Sequence, residues 1–355
     1  MKTLNIAVIG VGSISEAHIS AYQKHPAVRL LAFCDINDAV LEAKGKKHNV
    51  TKLYSDYNVM LKELPELDAV SVCAWNSEHA PISIAALNAG KHVLCEKPMA
   101  TNAADAARMV AAAKKNGKRL MIGFVRRFGN DCAIVRDFVQ NGSLGEIYYA
   151  KASYIRRNGF PGGWFGDLKR AGGGPMFDLG VHVIDLVRYL MGNPKPVSVY
   201  GVTFSKLAGG RALKSRAQYQ SVSTQGAGEV FDVEDFAAAL IRFDNGAALN
   251  VETSFALNVK TDEGKIELFG TKGGVRLDPE FEFYSAINGY PANIKLATPT
   301  ALSFLDLFDN EIHHFVDCLL SGAEFRAPME DGAEIMRILS AVYESAASGR
   351  EVSLL

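Results

Sequence analysis

Up to Ile122 the chain alternates short, unbroken apolar runs with amphipathic stretches. Leu4 to Ile9, Leu30 to Cys34, Ala69 to Ala74, Lys91 to Cys95 and Arg119 to Ile122 read as strands. Ser13 to Lys24, Asp38 to Lys47, Pro81 to Ala89 and Ala103 to Asn116 read as helices. Strands with no polar face are expected where helices cover both sides of a sheet, so this pattern predicts a doubly wound parallel sheet. The period changes near Gly123. A helix from Asn130 to Gln140, stopped by Asn141-Gly142, precedes longer and more alternating runs: Glu146 to Arg156, Val197 to Phe204, Val233 to Phe243, Ala247 to Phe255 and Lys265 to Phe269. Asp244-Asn245-Gly246 is a strong hairpin turn. Helices from Leu305 to Ser321 and from Asp331 to Ala347 close the chain. The expectation is an α/β domain over residues 1–123 and an α+β domain with a mostly antiparallel sheet over residues 124–355. Gly209 to Gly228 is polar and aperiodic and reads as an exposed excursion.

Composition narrows the class. In 355 residues, 48% are hydrophobic and 22% charged, which is ordinary for a globular protein with two sizeable cores. The 38 basic and 39 acidic residues nearly cancel, unlike the basic footprint of a nucleic-acid binder. Cys34, Cys73, Cys95, Cys132 and Cys318 are an odd set without a CxxC pair. That pattern predicts reduced thiols, a cytoplasmic setting and no structural zinc. No apolar run is long enough to cross a membrane, and Met1 to Asn5 leads into a strand without a signal-peptide pattern.

Gly10-Val11-Gly12-Ser13-Ile14-Ser15 follows the first strand and opens the first helix. It matches the GxGxxG fingerprint of a Rossmann domain at two glycines, with Ser15 in third place. Gly10 allows the tight turn, and Gly12 lets the backbone approach a pyrophosphate at the helix N-terminus, beside Ser13 and Ile14. Asp35 ends the second strand, where a carboxylate accepts the adenosine ribose hydroxyls and repels a 2′-phosphate. These features predict NAD, in preference to NADP.

Two further stretches carry chemistry. Glu96-Lys97-Pro98 ends a buried strand, and a lysine there points toward the ligand crevice of an open α/β sheet. Pro98 keeps Lys97 out of helical geometry. The run Gly172-Gly173-Gly174-Pro175-Met176-Phe177-Asp178-Leu179-Gly180-Val181-His182-Val183-Ile184-Asp185 reads as a glycine loop entering an apolar helix. Asp178, His182 and Asp185 share one face at i, i+4, i+7. Such a histidine is a satisfied core residue, one of a pair of metal ligands, or a proton acceptor tuned by its carboxylate neighbour.

Together with Gly123-Phe124-Val125-Arg126-Arg127-Phe128, His18 in the first helix and Phe269-Gly270-Thr271-Lys272-Gly273, these motifs resemble the glucose–fructose oxidoreductase, inositol dehydrogenase and MocA family over nearly the whole chain. The resemblance implies a Rossmann domain followed by a large open sheet whose outer face forms a homodimer or homotetramer. It implies sugar, glycoside or cyclitol substrates, oxidised at a secondary alcohol, with the 3-position of a pyranoside one version. It places the catalytic lysine at Lys97 and the motif acid and base at Asp178 and His182, with no metal. It puts Trp75, Asn76, His79 and Glu96 beside Lys97 at the nicotinamide end. Arg156 and Trp164, flanking a glycine-rich loop, are expected at the substrate together with Arg127. For Arg126 and Arg127, pairing of one of them with an acid is the structural alternative. Redox-neutral sugar chemistry with recycled NAD, and a non-catalytic NAD-binding regulator, remain the competing functions.

Overall fold

The computed structural model describes residues 3–207 and 230–355; the polar stretch from Gly209 to Gly228 lies outside the described residues. The chain divides into two compact units. Unit 1 holds Met1–Phe128 and Ser303–Ala333, and unit 2 holds Gly129–Leu302 and Glu334–Leu355. A single cut near Gly123 therefore omits the return of residues 303–333 to unit 1.

In unit 1 the described strands are β1 (Leu4–Ile9), β2 (Val28–Cys34), β3 (Lys52–Tyr54), β4 (Ala69–Val72), β5 (His92–Glu96) and β6 (Leu120–Gly123), in sheet order β3-β2-β1-β4-β5-β6. Every pairing is parallel. The order reverses between β1 and β4, the place where such sheets bind dinucleotides. The helices are α1 (Ser15–Lys24), α2 (Asp38–His48), α3 (Tyr57–Glu63), α4 (Asn76–Asn88) and α5 (Ala103–Asn116). β4 and β6 are buried along their whole length, Ser71 of β4 included. The helix α4 starts at Asn76, five residues before Pro81. Pro81 thus sits one turn inside, where it forgoes one main-chain hydrogen bond. From residues 303–333, α9 (Phe304–Ser321) packs along α1, and Phe308 joins Ala17 and Val125 in a small apolar cluster.

Unit 2 contains α6 (Asn130–Gln140), β7 (Ile147–Ile155), α7 (Leu168–Ala171), α8 (Val181–Leu190), β8 (Pro196–Phe204), β9 (Phe236–Phe243), β10 (Ala248–Ser254), β11 (Glu263–Gly270), β12 (Gly274–Asp278), β13 (Glu282–Ile287), β14 (Tyr290–Ile294) and β15 (Val352–Ser353). Among the described residues these strands form one nine-stranded sheet, ordered β14-β13-β12-β11-β7-β10-β9-β8-β15. It is antiparallel except where β10 meets β7. α8 covers one face of the sheet through β7, β10 and β11. On the other face Tyr200, Leu240, Asn250 and Lys151 lie in one register row, with Tyr200, Leu240 and Lys151 exposed. α10 (Met329–Ser348) begins in the first unit's residues and ends in the second's.

Candidate active site

The glycine loop of unit 1 has the geometry of a phosphate cradle. Gly10 has φ +81°, and a Cβ there would lie 2.6 Å from Ala74 N, so only glycine fits. A Cβ on Gly12 would meet no protein atom within 4 Å, leaving open space beside the N-terminus of α1. Ser15 replaces the third glycine without strain, because its buried Oγ folds back to donate to Gly12 O at 2.7 Å. Asp35 Oδ2 accepts Val11 N–H at 2.7 Å and Oδ1 accepts Asn37 N–H at 2.8 Å, which ties the end of β2 to this loop. These residues fit a dinucleotide, with Gly12 open to a pyrophosphate and Asp35 fixed at the end of the second strand.

Lys97 follows β5 directly, half-buried, with a cis peptide to Pro98. Its main-chain N–H donates to Glu96 Oε2 at 3.1 Å. Glu96 Oε1 lies 2.7 Å from His18 Nε2, and His18 Nδ1 lies 2.8 Å from Ser71 Oγ. His18 is fully buried. Burial opposes charge on this ring, but the adjacent Cys73 sulfur and Glu96 carboxylate outweigh it and hold its pKa well above the usual value. Burial likewise works against the Glu96 carboxylate, yet His18 lowers its pKa. The two groups form a buried, hydrogen-bonded histidine–carboxylate pair. Glu311 of α9 brings a carboxylate oxygen close enough that one ligand atom from each of the three lies within 4.8 Å of the others.

In unit 2 the glycine run leads into a π-helical turn, Met176–Gly180, and then α8. Val181 N–H reaches Met176 O, five residues back, a pattern enriched at functional sites. The reason for the glycines is a buried acid. Glu234 Oε2 accepts Gly174 N–H at 2.8 Å, and Oε1 accepts Met176 N–H at 3.2 Å and Tyr343 O–H at 2.6 Å. A Cβ on Gly174 would fall 2.2 Å from Glu234 O, and one on Gly173 would fall 2.3 Å from Tyr343 Oη. Burial raises the Glu234 pKa despite its three donors, and burial beside Glu234 raises that of Tyr343. Asp178 and His182 are half-buried among buried apolar neighbours, while Asp185, expected on the same polar face, is buried.

Comparison with known proteins gives these features a context. The model of an oxidoreductase family with an NAD-binding Rossmann fold matches residues 4–124, and that of the same family's C-terminal alpha/beta domain matches residues 136–354. The chain belongs to the Gfo/Idh/MocA oxidoreductase family. Among its relatives, the D-glucoside 3-dehydrogenase of Escherichia coli is 33% identical over 99% of this chain and 97% of its own length. The myo-inositol 2-dehydrogenase of Thermotoga maritima is 30% identical over 78% of this chain and 75% of its own. A levoglucosan dehydrogenase solved in complex with NADH superposes with a TM-score of 0.85 at 25% identity, covering both chains completely. The protein is thus an NAD-binding oxidoreductase whose relatives are sugar and cyclitol dehydrogenases.

Within this Gfo/Idh/MocA chain, unit 1 gathers Gly10, Gly12, Ser13, Ile14, Asp35, Trp75, Asn76 and Lys97 around the carboxyl ends of β1, β2, β4 and β5. Three expectations there are corrected by geometry. His79 is 1% exposed, its ring nitrogens facing Pro98 O at 2.7 Å and Ala74 O at 3.1 Å, so it ties two strand ends together. Burial lowers its pKa. Glu96 is buried and turned to His18 and the Lys97 N–H rather than to a ligand. Arg127 is 1% exposed, and its Nη1 donates to Asp331 Oδ2 at 2.8 Å and Arg326 O at 2.7 Å. That is the structural ion pair rather than a substrate contact. In unit 2, Trp164 stacks on Phe165 with centroids 4.1 Å apart, and Arg156 lies 3.8 Å from Asp262. Sequence reasoning placed neither Glu234 nor Ser71 at the site. A charged residue inside an apolar stretch was the available signal, but its partner lies some 60 residues away.

Proposed function

We propose that the protein oxidises a secondary alcohol of a sugar, glycoside or cyclitol to a ketone, with NAD preferred over NADP and C3 of a pyranoside the first position to test. When bound, NAD supplies the hydride acceptor. Lys97 donates a hydrogen bond to the alcohol oxygen and stabilises it as it gains negative charge. The His182 ring accepts the hydroxyl proton, and Asp178 orients that ring or binds a second hydroxyl. Arg156 and Trp164 shape the substrate end, an arginine donating to hydroxyls and an aromatic ring lying on the apolar face of a pyranose. The carboxyl end of β5 supports this reading most directly, where a lysine is fixed by its own N–H to a buried carboxylate. The 33% identity to a D-glucoside 3-dehydrogenase favours the glycoside.

The test is a panel of aldoses, polyols and glycosides with NAD and NADP, followed by nicotinamide absorbance and product analysis. One NADH released per ketone formed supports the proposal. Substrate transformed without net NADH indicates redox-neutral chemistry, and tight NADH binding with no turnover indicates a regulator. We further propose a homodimer or homotetramer through the open sheet face bearing Tyr200 and Leu240, to be tested by light scattering of Leu240→Lys.

A further inference from the structure

Lys97 is the first residue beyond the last β5–β6 pairing, Glu96 with Gly123. Its main-chain N–H is instead bound by the Glu96 side chain. The Lys97-Pro98 segment is held from two directions within unit 1. His79 faces Pro98 O, and His18 faces Glu96. Behind His18, Ser71 Oγ also accepts Tyr22 O–H at 3.3 Å. Two donors converge on the Glu96 carboxylate, His18 Nε2–H on one oxygen and Lys97 N–H on the other, while His18 Nδ1 meets the Ser71 hydroxyl. His18, Ser71 and Glu96 are all buried, so these bonds are charge-assisted in a dry setting and strongly directional.

Three ligating groups so close could also suggest a cation site formed by His18, Glu96 and Glu311. The separations decide between the two. Ligands sharing a tetrahedral ion at ~2.0 Å lie about 3.3 Å apart. His18 Nε2 and Glu96 Oε1 are 2.7 Å apart, which is a hydrogen bond.

We propose that His18 is a positioning residue for Lys97: its buried imidazole fixes the Glu96 carboxylate, which in turn fixes the main chain of the lysine at the end of β5. This inference rests on the alcohol oxidation proposed above, in which the Lys97 ammonium touches the reacting oxygen. A misplacement of about 1 Å at such a group is enough to cost on the order of 10²-fold in rate.

The experiment compares His18→Leu, which keeps bulk but loses both bonds, with His18→Gln, which can donate toward Glu96 and accept from Ser71. Ser71→Ala is the milder variant, and Lys97→Met the control. Melting temperature, NADH affinity by fluorescence, kcat and KM are measured, with the isotope effect for substrate deuterated at the reacting carbon. We expect His18→Leu to lower kcat about 10- to 100-fold with NADH affinity within about twofold of wild type. The isotope effect on kcat should rise, and His18→Gln should recover part of the loss. A lowered melting temperature with unchanged kcat and isotope effect, measured well below the melt, means a purely structural histidine and overturns the inference. If His18→Leu does not fold, Ser71→Ala and His18→Gln decide, and wild-type kcat in both overturns it. Turnover surviving in Lys97→Met would remove the lysine from the chemistry and this inference with it. An inactive Lys97→Met beside wild-type-like His18 variants removes the inference alone.

Discussion

Asp35→Ala separates cofactor choice from loop architecture. In the wild type both carboxylate oxygens accept main-chain N–H groups, from Val11 at 2.7 Å and Asn37 at 2.8 Å. Each oxygen keeps a second lone pair for a ribose hydroxyl. Truncation strands the Val11 N–H, at a cost of about 1–3 kcal/mol in stability. It also removes one or two charge-assisted bonds to NAD, each contributing about 1.5–3 kcal/mol, or roughly 10- to 150-fold in Kd. Repulsion of a 2′-phosphate at ~4 Å amounts to about 1–4 kcal/mol for effective dielectrics of 80 to 20, and it vanishes with the carboxylate. The last two effects add in the NADH/NADPH affinity ratio, which should fall by about 10²-fold or more. Asp35→Asn is not a gentler substitute. With both oxygens already accepting, an amide must turn N–H groups toward one of the two main-chain donors, so this variant should melt no higher than Asp35→Ala. The assay is fluorescence titration of NADH and NADPH against wild type and both variants, beside thermal melts. Wild type binding NADPH as tightly as NADH, or Asp35→Ala leaving the ratio within about threefold, would refute the reasoning.

His182→Ala should lose about 10²–10⁴-fold in kcat while NADH titrates as in wild type, and unchanged turnover would take His182 out of the mechanism. The two loop glycines should behave oppositely. Gly10→Ala, forced to φ +81° and 2.6 Å from Ala74 N, should destabilise by about 2–5 kcal/mol in denaturant melts. Gly12→Ala, whose Cβ meets no protein atom, should melt like wild type yet bind NADH at least about tenfold more weakly. Glu16 tests the electrostatics. Burial opposes its charge, but Lys44, Lys47 and His48 outweigh that and lower its pKa from 4.5 to about 2. A folded-state value below the unfolded one means stabilisation that is present above pH ~4.5 and lost as the pH falls toward 2. The carboxylate is 37% exposed, so solvent screening leaves only about 1 kcal/mol. Glu16→Gln should lower the melting temperature by about 1–3 °C at pH 6 and by less near pH 2, and equal losses at both would contradict the assignment.

What could be read from the sequence follows from what hydrophobic periodicity encodes. β1, β4, β5 and β6 are legible because burial on both faces keeps them mainly apolar, with polar residues such as Asn5 and Ser71 too few to set a period. β3 was missed because its three residues are half-buried at the sheet edge, where little apolar character is required. The β12–β14 meander was missed because its strands are short, and Pro291 in the edge strand β14 reads as a break. The start of α4 was placed too late because Asn76 to His79 shows no apolar period. His79 is buried there against main-chain carbonyls rather than against side chains. The cofactor loop, Lys97 and the Asp178–His182 helix are legible as motifs because their spacing is local. The contacts among the groups behind them were not, since Ser71 and Glu96 reach His18 across 53 and 78 residues of chain.

Those long-range partners follow one rule in both units. Next to Lys97, and again at the turn leading to Asp178 and His182, a main-chain N–H donates to a buried carboxylate, Glu96 in the first case and Glu234 in the second. Each carboxylate is in turn bonded to a ring, the buried His18 or the half-buried Tyr343. A flexible loop would let the reacting group drift by the ångström that abolishes most of its effect. A main chain bound to a buried acid cannot drift without leaving that acid short of a donor, at about 1–3 kcal/mol or more for a charged group. The glycines at Gly173 and Gly174 therefore serve close approach rather than flexibility. Any side chain at Gly174 would have to displace Glu234 from the turn that leads to Asp178.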